Sequence, residues 1–501
     1  MYKLLKYFGV LIFLSALPVI SFSQGTQIKI LGADEFEFND LGDIKVKTLT
    51  GNVKLQQDEV FLFCDKAILN EDINSLEAIG NVVIKQDTVE IHSDHLFYDG
   101  KNKKAVLTGN VKMTDSKMVL NTSALDYDLN TKVASYKTGG ILTSDTTTLT
   151  SKIGYYYATS NDVYFKKDVK VVSPQYNLTA DTLRFNTDIR TAFFLGPTNI
   201  NTDSSDIFCE GGFYNTSEDI AQFNTKAILI NLPQILMADS IWFDNNSGKG
   251  ITKGNVNWKD TSQHLNILAD RAWFDNSAND ILAVGHTLFI SEVGNDTLFM
   301  TADTLHSTKD SVTDKRNFSA FHKVKFFKSD MQALCDSLYY SDADSMFRLY
   351  QNPVLWMEGN QMKADTMRIH LSNREVSKFE LIKSSFMVSQ VDTGLFNQVK
   401  GKNMTGFFED GKLHHLLIEG NGESIYYAQD DSSAFIGVNK IICSSMIIYT
   451  DSSKVNRIKF LSKPDGTMYP INQAPQDELK LKDFIWMDNV RPKSKWALFE
   501  D

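Results

Sequence analysis

Apolar residues return along this chain in fixed columns. An aspartate in most units serves as an anchor, and the anchor positions are 34, 65, 94, 123, 152, 181, 210, 239, 270, 303, 336, 365, 402 and 444. From 65 to 239 every step is 29 residues; later steps lengthen to as much as 42. Three residues before the anchor the column is apolar throughout, for example Leu31, Leu62, Ile91, Leu120, Leu178, Leu236, Ile267 and Ile441. One residue before it the side chain is always small, as in Ala33, Cys64, Ser93, Ala180, Cys209 and Ala238. Two residues after it stand Leu96, Leu125, Leu183 and Ile241, and four after it Tyr98, Tyr127, Tyr156, Phe185, Phe243 and Phe274.

Columns −3 and −1 share one parity, and +2 and +4 share the other. A period of two is the signature of a strand with alternate side chains on one face. The change of parity at the anchor predicts a β-bulge or sheet corner that bends the strand and keeps both apolar sets inward. The small residue at −1 fits the inside of that bend, and the aspartate is expected to face out and bond nearby backbone donors. Gly51-Asn52-Val53, Gly80-Asn81-Val82, Gly109-Asn110-Val111 and Gly254-Asn255-Val256 recur upstream of the anchors. Gly-Asn favours positive φ, which predicts the turn between two hairpin strands. Between residues 24 and 460 the only prolines are Pro174, Pro197, Pro233 and Pro353, which suits a chain of paired strands. Each unit is therefore two or three strands that bury their apolar face only by stacking on neighbours. The predicted fold is all-β: an elongated two-sheet jellyroll, a solenoid-like stack of about 29-residue repeats. At ~4.8 Å between strands it would extend roughly 65–135 Å.

Composition narrows the function. The formal charge is −11 without long runs, which argues against nucleic acid as a partner. Lys3 and Lys6 precede an apolar run from Tyr7 to Ile20, and Ser21-Phe22-Ser23 resembles a cleavage site. Residues 1–23 thus read as a signal peptide, and the rest as exported. The four cysteines, Cys64, Cys209, Cys335 and Cys443, all occupy the small −1 column, so they are expected to be buried filler, neither disulfides nor metal ligands. His92 and His95 flank Asp94, but no third ligand is evident and they read as outward decoration. The aspartate column supplies too few oxygens per unit for calcium. Nucleophile elbow, P-loop and zinc-protease motifs are absent, so neither an enzyme nor a cofactor is expected. Residues 461–501 break the pattern with four prolines and two tryptophans, and read as a C-terminal cap or docking tail.

Units of the form Ala78-Ile79-Gly80-Asn81-Val82 followed by Glu90-Ile91-His92-Ser93-Asp94-His95-Leu96-Phe97-Tyr98, and then Leu107-Thr108-Gly109-Asn110-Val111, resemble the OstA/LptA family. The resemblance is best over residues 24–190 and continues with insertions over 191–460. It implies a β-jellyroll open along one side that carries lipopolysaccharide across the periplasm. It also implies other lipopolysaccharide-transport components as partners, joined by end-to-end strand pairing. The chain has no room for the membrane barrel of the outer-membrane members. The place of action expected is the periplasm, with or without attachment to the outer membrane. The residues expected to line a lipid trough are Leu62, Ile91, Leu96, Tyr98, Leu120, Leu178, Phe185, Leu236, Phe243 and Ile267. The same columns would also fill a closed core. An exported structural or adhesive β-solenoid is therefore the alternative.

Overall fold

The computed structural model describes residues 27–500, except 41–44, 117, 294–295, 311, 314, 374, 431, 433, 452–453 and 476–477. The expected signal peptide lies outside the described residues. The fold is an all-β jellyroll built from antiparallel strands, and the described residues form two compact units, 27–163 and 164–500.

In the first unit the strands Lys45–Gln57, Val60–Asn70, Ser75–Gln86, Val89–Asp99, Lys104–Asp115 and Met118–Asp128 pair each with the next. One 29-residue repeat is thus two long strands, each bent in the middle. The register breaks between Thr50 and Val53, where Gly51 and Asn52 stand opposite Asp65, and again at Ile79/Val82 and Thr108/Val111. Two residues against one is a β-bulge, and it turns the strand. Inward burial continues on both sides of the bend: Leu62 and Cys64 before Asp65, Ala67 and Leu69 after it, are all buried. The parity change read from the columns is this corner.

Two sequence expectations need correction here. Gly-Asn does not connect hairpin strands; it lies inside a strand, at the corner. The confusion is physical, because both a tight hairpin loop and a bulge need positive φ, and Gly109 and Asn110 have φ of 74° and 44°. The inter-strand connections lie elsewhere. At one end Asp58 and Asp87 take positive φ in short turns, and at the other Asp99 and Asp128 accept backbone N–H groups in Asx turns. The anchor aspartate also has a different partner from the one expected. Asn81 donates its side-chain N–H to Asp65 at 2.8 Å, and Asn110 donates to Asp94 at 2.7 Å.

The second unit repeats the device through Ile220–Asn231, Gln234–Asp244, Lys249–Asp260, Leu265–Asp275, Asp280–Val293, Asp296–Lys309, Arg316–Lys328 and Met331–Ser341. His286 replaces asparagine at one corner and pairs with Asp270 at 2.7 Å. Thr225-Lys226, His322-Lys323 and Lys383-Ser384 form corners at positive φ with no glycine. The corner also survives loss of the aspartate, since Gly420 and Asn421 are skipped opposite Lys402 and Ser444. The four mid-chain prolines all fall between strands, as proline's missing N–H requires.

The four cysteines are buried and unbridged. Burial pushes the Cys64 thiol up to about 12, aided by the neighbouring Asp65 charge, so it stays a neutral apolar filler. The tail residues after Tyr469 run back along the second unit. Gln398 donates to the Leu479 carbonyl and accepts from the Leu481 N–H; Gln361 does the same with Ile485 and Met487; Arg491 donates to Gln332. These three glutamines share the outward column four before the anchor, yet each is at most 2% exposed, because the tail covers them. Leu481 completes a cluster with Phe386, Val388, Ile425, Tyr427 and Val438.

Candidate functional site

Each bent strand puts its two ends on opposite arms of the corner. Contacts between those ends therefore decide whether the interior is open on the side away from the corner. In the first unit they close it. The Tyr98 hydroxyl donates to the Gln57 side chain, the Gln57 amide to the Gly100 carbonyl at 3.1 Å, and Lys103 pairs with Asp58. One repeat on, Tyr127 donates to Gln86 at 2.8 Å and Lys132 pairs with Asp87; after that Tyr156 donates to Asp115. Burial and the surrounding carboxylates push the Tyr98 and Tyr127 hydroxyls above their ordinary range, so they remain donors. Behind these latches the core is packed. The space lined by Leu55, Leu62, Leu76, Ile84 and Tyr98 amounts to 20 Å³, room for about one water.

The latch is missing in part of the second unit. Phe185, Phe243 and Phe274 occupy the +4 column without a hydroxyl, and Phe243 and Phe274 stack on each other with centroids 5.9 Å apart. Tyr214 and Tyr340 turn to their own strand ends, donating to Asp219 and Asp342. At Ser307 the column holds a small side chain. Here the interior opens into a cavity of 1040 Å³, with Ile267, Phe289, Leu298, Met300, Phe318, Met331 and Phe347 among its apolar lining. A second cavity of 280 Å³ is lined by Leu229, Leu236, Trp258, Phe274 and Ile281.

Arg316, the first residue of its strand, lines both cavities. Its Nη1 donates to the Ser307 hydroxyl at 3.0 Å, and its guanidinium lies 5.4 Å from the Trp258 ring. Its Nε is buried without a hydrogen-bond partner. Burial lowers the pKa of this guanidinium, opposed by the charge of the buried Asp260. Among the described residues no carboxylate approaches it within 4.0 Å in an ion pair. The remaining charged lining is mostly acidic, with Glu292, Asp296, Asp330, Asp342, Glu358 and Glu375 against Lys328 and His264. Asp296 accepts from Ser329 and lies 3.7 Å from Lys328, Asp330 lies 2.6 Å from Lys328, and Glu292 lies 3.4 Å from His264. Burial pushes Asp296 up, but the Ser329 and Thr297 hydrogen bonds and Lys328 outweigh it and hold it below the usual carboxylate range.

The expected trough residues divide between these surroundings. Leu62, Ile91, Leu96, Tyr98 and Leu120 are buried in the packed first unit, Ile91 and Leu96 completely. Leu178 is buried and Phe185 and Phe243 are half-buried in the second unit. Leu236 lines the smaller cavity and Ile267 the larger. Leu298, Met300, Phe318 and Arg316 were not singled out by sequence reasoning. Met300 shares the −3 column with Ile267, so that column held the signal; Arg316 lies outside every column. His92 and His95 pair separately with Glu90 and Glu77, at 2.7 and 2.8 Å. Among the described residues no group of three or more His, Cys, Asp or Glu side chains is placed to hold a metal.

No curated protein matches the chain. Among solved structures, LptH, the LptA-homologous periplasmic component of the lipopolysaccharide transport device of Pseudomonas aeruginosa, aligns at 13% identity, over 29% of this chain and 80% of its own, with a TM-score of 0.15. Residues 25–181 match the family described as OstA-like protein. That segment, which holds the Gly51-Asn52, Gly80-Asn81 and Gly109-Asn110 corners and the tyrosine latches, is similar to OstA-like proteins.

Proposed function

We propose that this chain is an exported carrier that shields the acyl chains of lipopolysaccharide inside its jellyroll, working in the periplasm as one part of a bridge to the outer membrane. The observation that carries the reading is the 1040 Å³ cavity, apolar in its floor and polar at its rim, between the strand ends that lack a latch. A site for an amphiphile needs this division, an apolar chamber for the chains and a wet border for the headgroup. Shielding is worth about 0.8 kcal/mol per buried CH₂, so even part of one chain repays entry. The OstA-like segment and the family resemblance supply the lipid class. Partners are other lipopolysaccharide-transport components, added at free strand edges by main-chain pairing.

A photo-crosslinking amino acid at Ile267 tests this in cells that export the protein. Adducts with lipopolysaccharide at Ile267, and none at the closed position Ile91, are the expected result. A structural role alone predicts no lipid adduct at either site. That second reading is favoured by one observation, the packed and latched core of the first unit.

A further inference from the structure

We propose that Arg316 is the headgroup-binding residue of the large cavity, and that the bound amphiphile carries an acidic group, a carboxylate or phosphate monoester, placed against its guanidinium. The inference rests on the carrier reading and adds to it the residue and the sign of the charge. Three observations meet at this side chain. First, Arg316 stands where the latch is missing: Ser307, its hydrogen-bond partner, occupies the column that Tyr98 and Tyr127 fill in the first unit. Second, it lines both cavities, so a ligand lying in either brings its polar end past the same group. Third, its Nε is buried with no acceptor. An unmade hydrogen bond from a buried charged donor is costly, and a native structure keeps one where something else completes it.

The charge pattern selects the ligand further. Asp260 acts on Arg316 only at a distance, so the cation is partly balanced but not capped. Six other carboxylates line the large cavity: Glu292, Asp296 and Asp330 are paired with His264 and Lys328, Asp342 accepts from Tyr340, and Glu358 and Glu375 complete the set; among the described residues none of them forms an ion pair with Arg316. An acidic headgroup at Arg316 would make charge-assisted hydrogen bonds through the planar guanidinium, the geometry that suits carboxylate and phosphate oxygens. Its chains would then lie over Ile267, Leu298 and Met300.

The test uses the full chain and amphiphiles that share one tail: oleic acid, oleyl alcohol and oleylamine, with inorganic phosphate as the tailless anion. Binding is read by displacement of a fluorescent apolar probe. Oleic acid is expected to bind about tenfold or more tighter than the alcohol or the amine, the size of one charge-assisted contact. Arg316→Gln should erase that preference, while Arg316→Lys should retain part of it. An unaltered urea midpoint shows that the variant is folded. Equal binding of acid and alcohol by the native chain overturns the proposal and leaves the carrier reading standing. So does a preference that survives Arg316→Gln. Competition by inorganic phosphate as strong as that by oleic acid would make Arg316 a simple anion site and also overturn it. Failure of all three amphiphiles to bind counts against the carrier reading itself.

Discussion

Gly109 answers two demands with one missing side chain. Its φ of 74° is open to glycine and strained for other residues, and a Cβ there would stand 2.9 Å from the Cβ of Asp94 and 2.5 Å from its Oδ2. Asp94 must come that close because Asn110, the next residue, donates to it across the corner. Gly, Asn and Asp are thus one unit of three parts, which is why Gly-Asn and Asp recur together at 29-residue spacing. Gly109→Ala is expected to cost about 2–3 kcal/mol, backbone strain and overlap together. Gly411→Ala is the control: φ is 73°, but nothing lies within 4 Å of the added methyl, so only strain of roughly 1 kcal/mol remains. Urea denaturation of the two variants checks this. Equal losses would mean that the close approach to Asp94 contributes nothing.

At the level of the element, the bent hairpin is closed or open according to one side chain at its end. Tyr98→Phe removes the hydroxyl that serves the buried Gln57 and is expected to cost about 0.5–1.5 kcal/mol, the net worth of one hydrogen bond. Hydrogen exchange should quicken at the ends of Lys45–Gln57 and Val89–Asp99 and stay slow at their corners; a uniform increase would contradict a local latch. This element shows what was legible in the sequence. The −3, −1, +2 and +4 columns gave strand, face and corner because burial repeats along the chain with the strand's own period. The latch was not legible, since Tyr98 meets Gln57 from 41 residues away, with two strands between theirs. The corners at Thr225-Lys226 and His322-Lys323 left no trace either, because tertiary pairing holds ordinary residues at positive φ where glycine would have marked them. The tail's path was hidden for the same reason: Gln332, Gln361 and Gln398 look like outward polar residues until the chain that covers them returns.

Across the whole molecule the packing beside the apolar columns differs between the two units. Ile91 and Ile267 hold the same column and both are buried, so neither residue type nor exposure tells them apart. What differs is the cavity: Ile267 lines one of 1040 Å³, whereas Ile91 is fully buried in a unit whose space beside Leu62 and Ile84 is only 20 Å³. A small-to-large substitution reads that volume directly. Leu96→Trp forces an indole into a packed interior and is expected to destabilise by about 1–3 kcal/mol. Leu298→Trp has room to extend into the cavity, so its stability should stay within about 0.5 kcal/mol of the native chain, as for a site without strain. It should nonetheless bind less of an apolar probe, because the added ring occupies the ligand's volume. Denaturation and probe titration on the same two variants separate the effects: a core that is closed throughout predicts a large loss of stability from both. A carrier predicts that stability falls in one and capacity falls in the other.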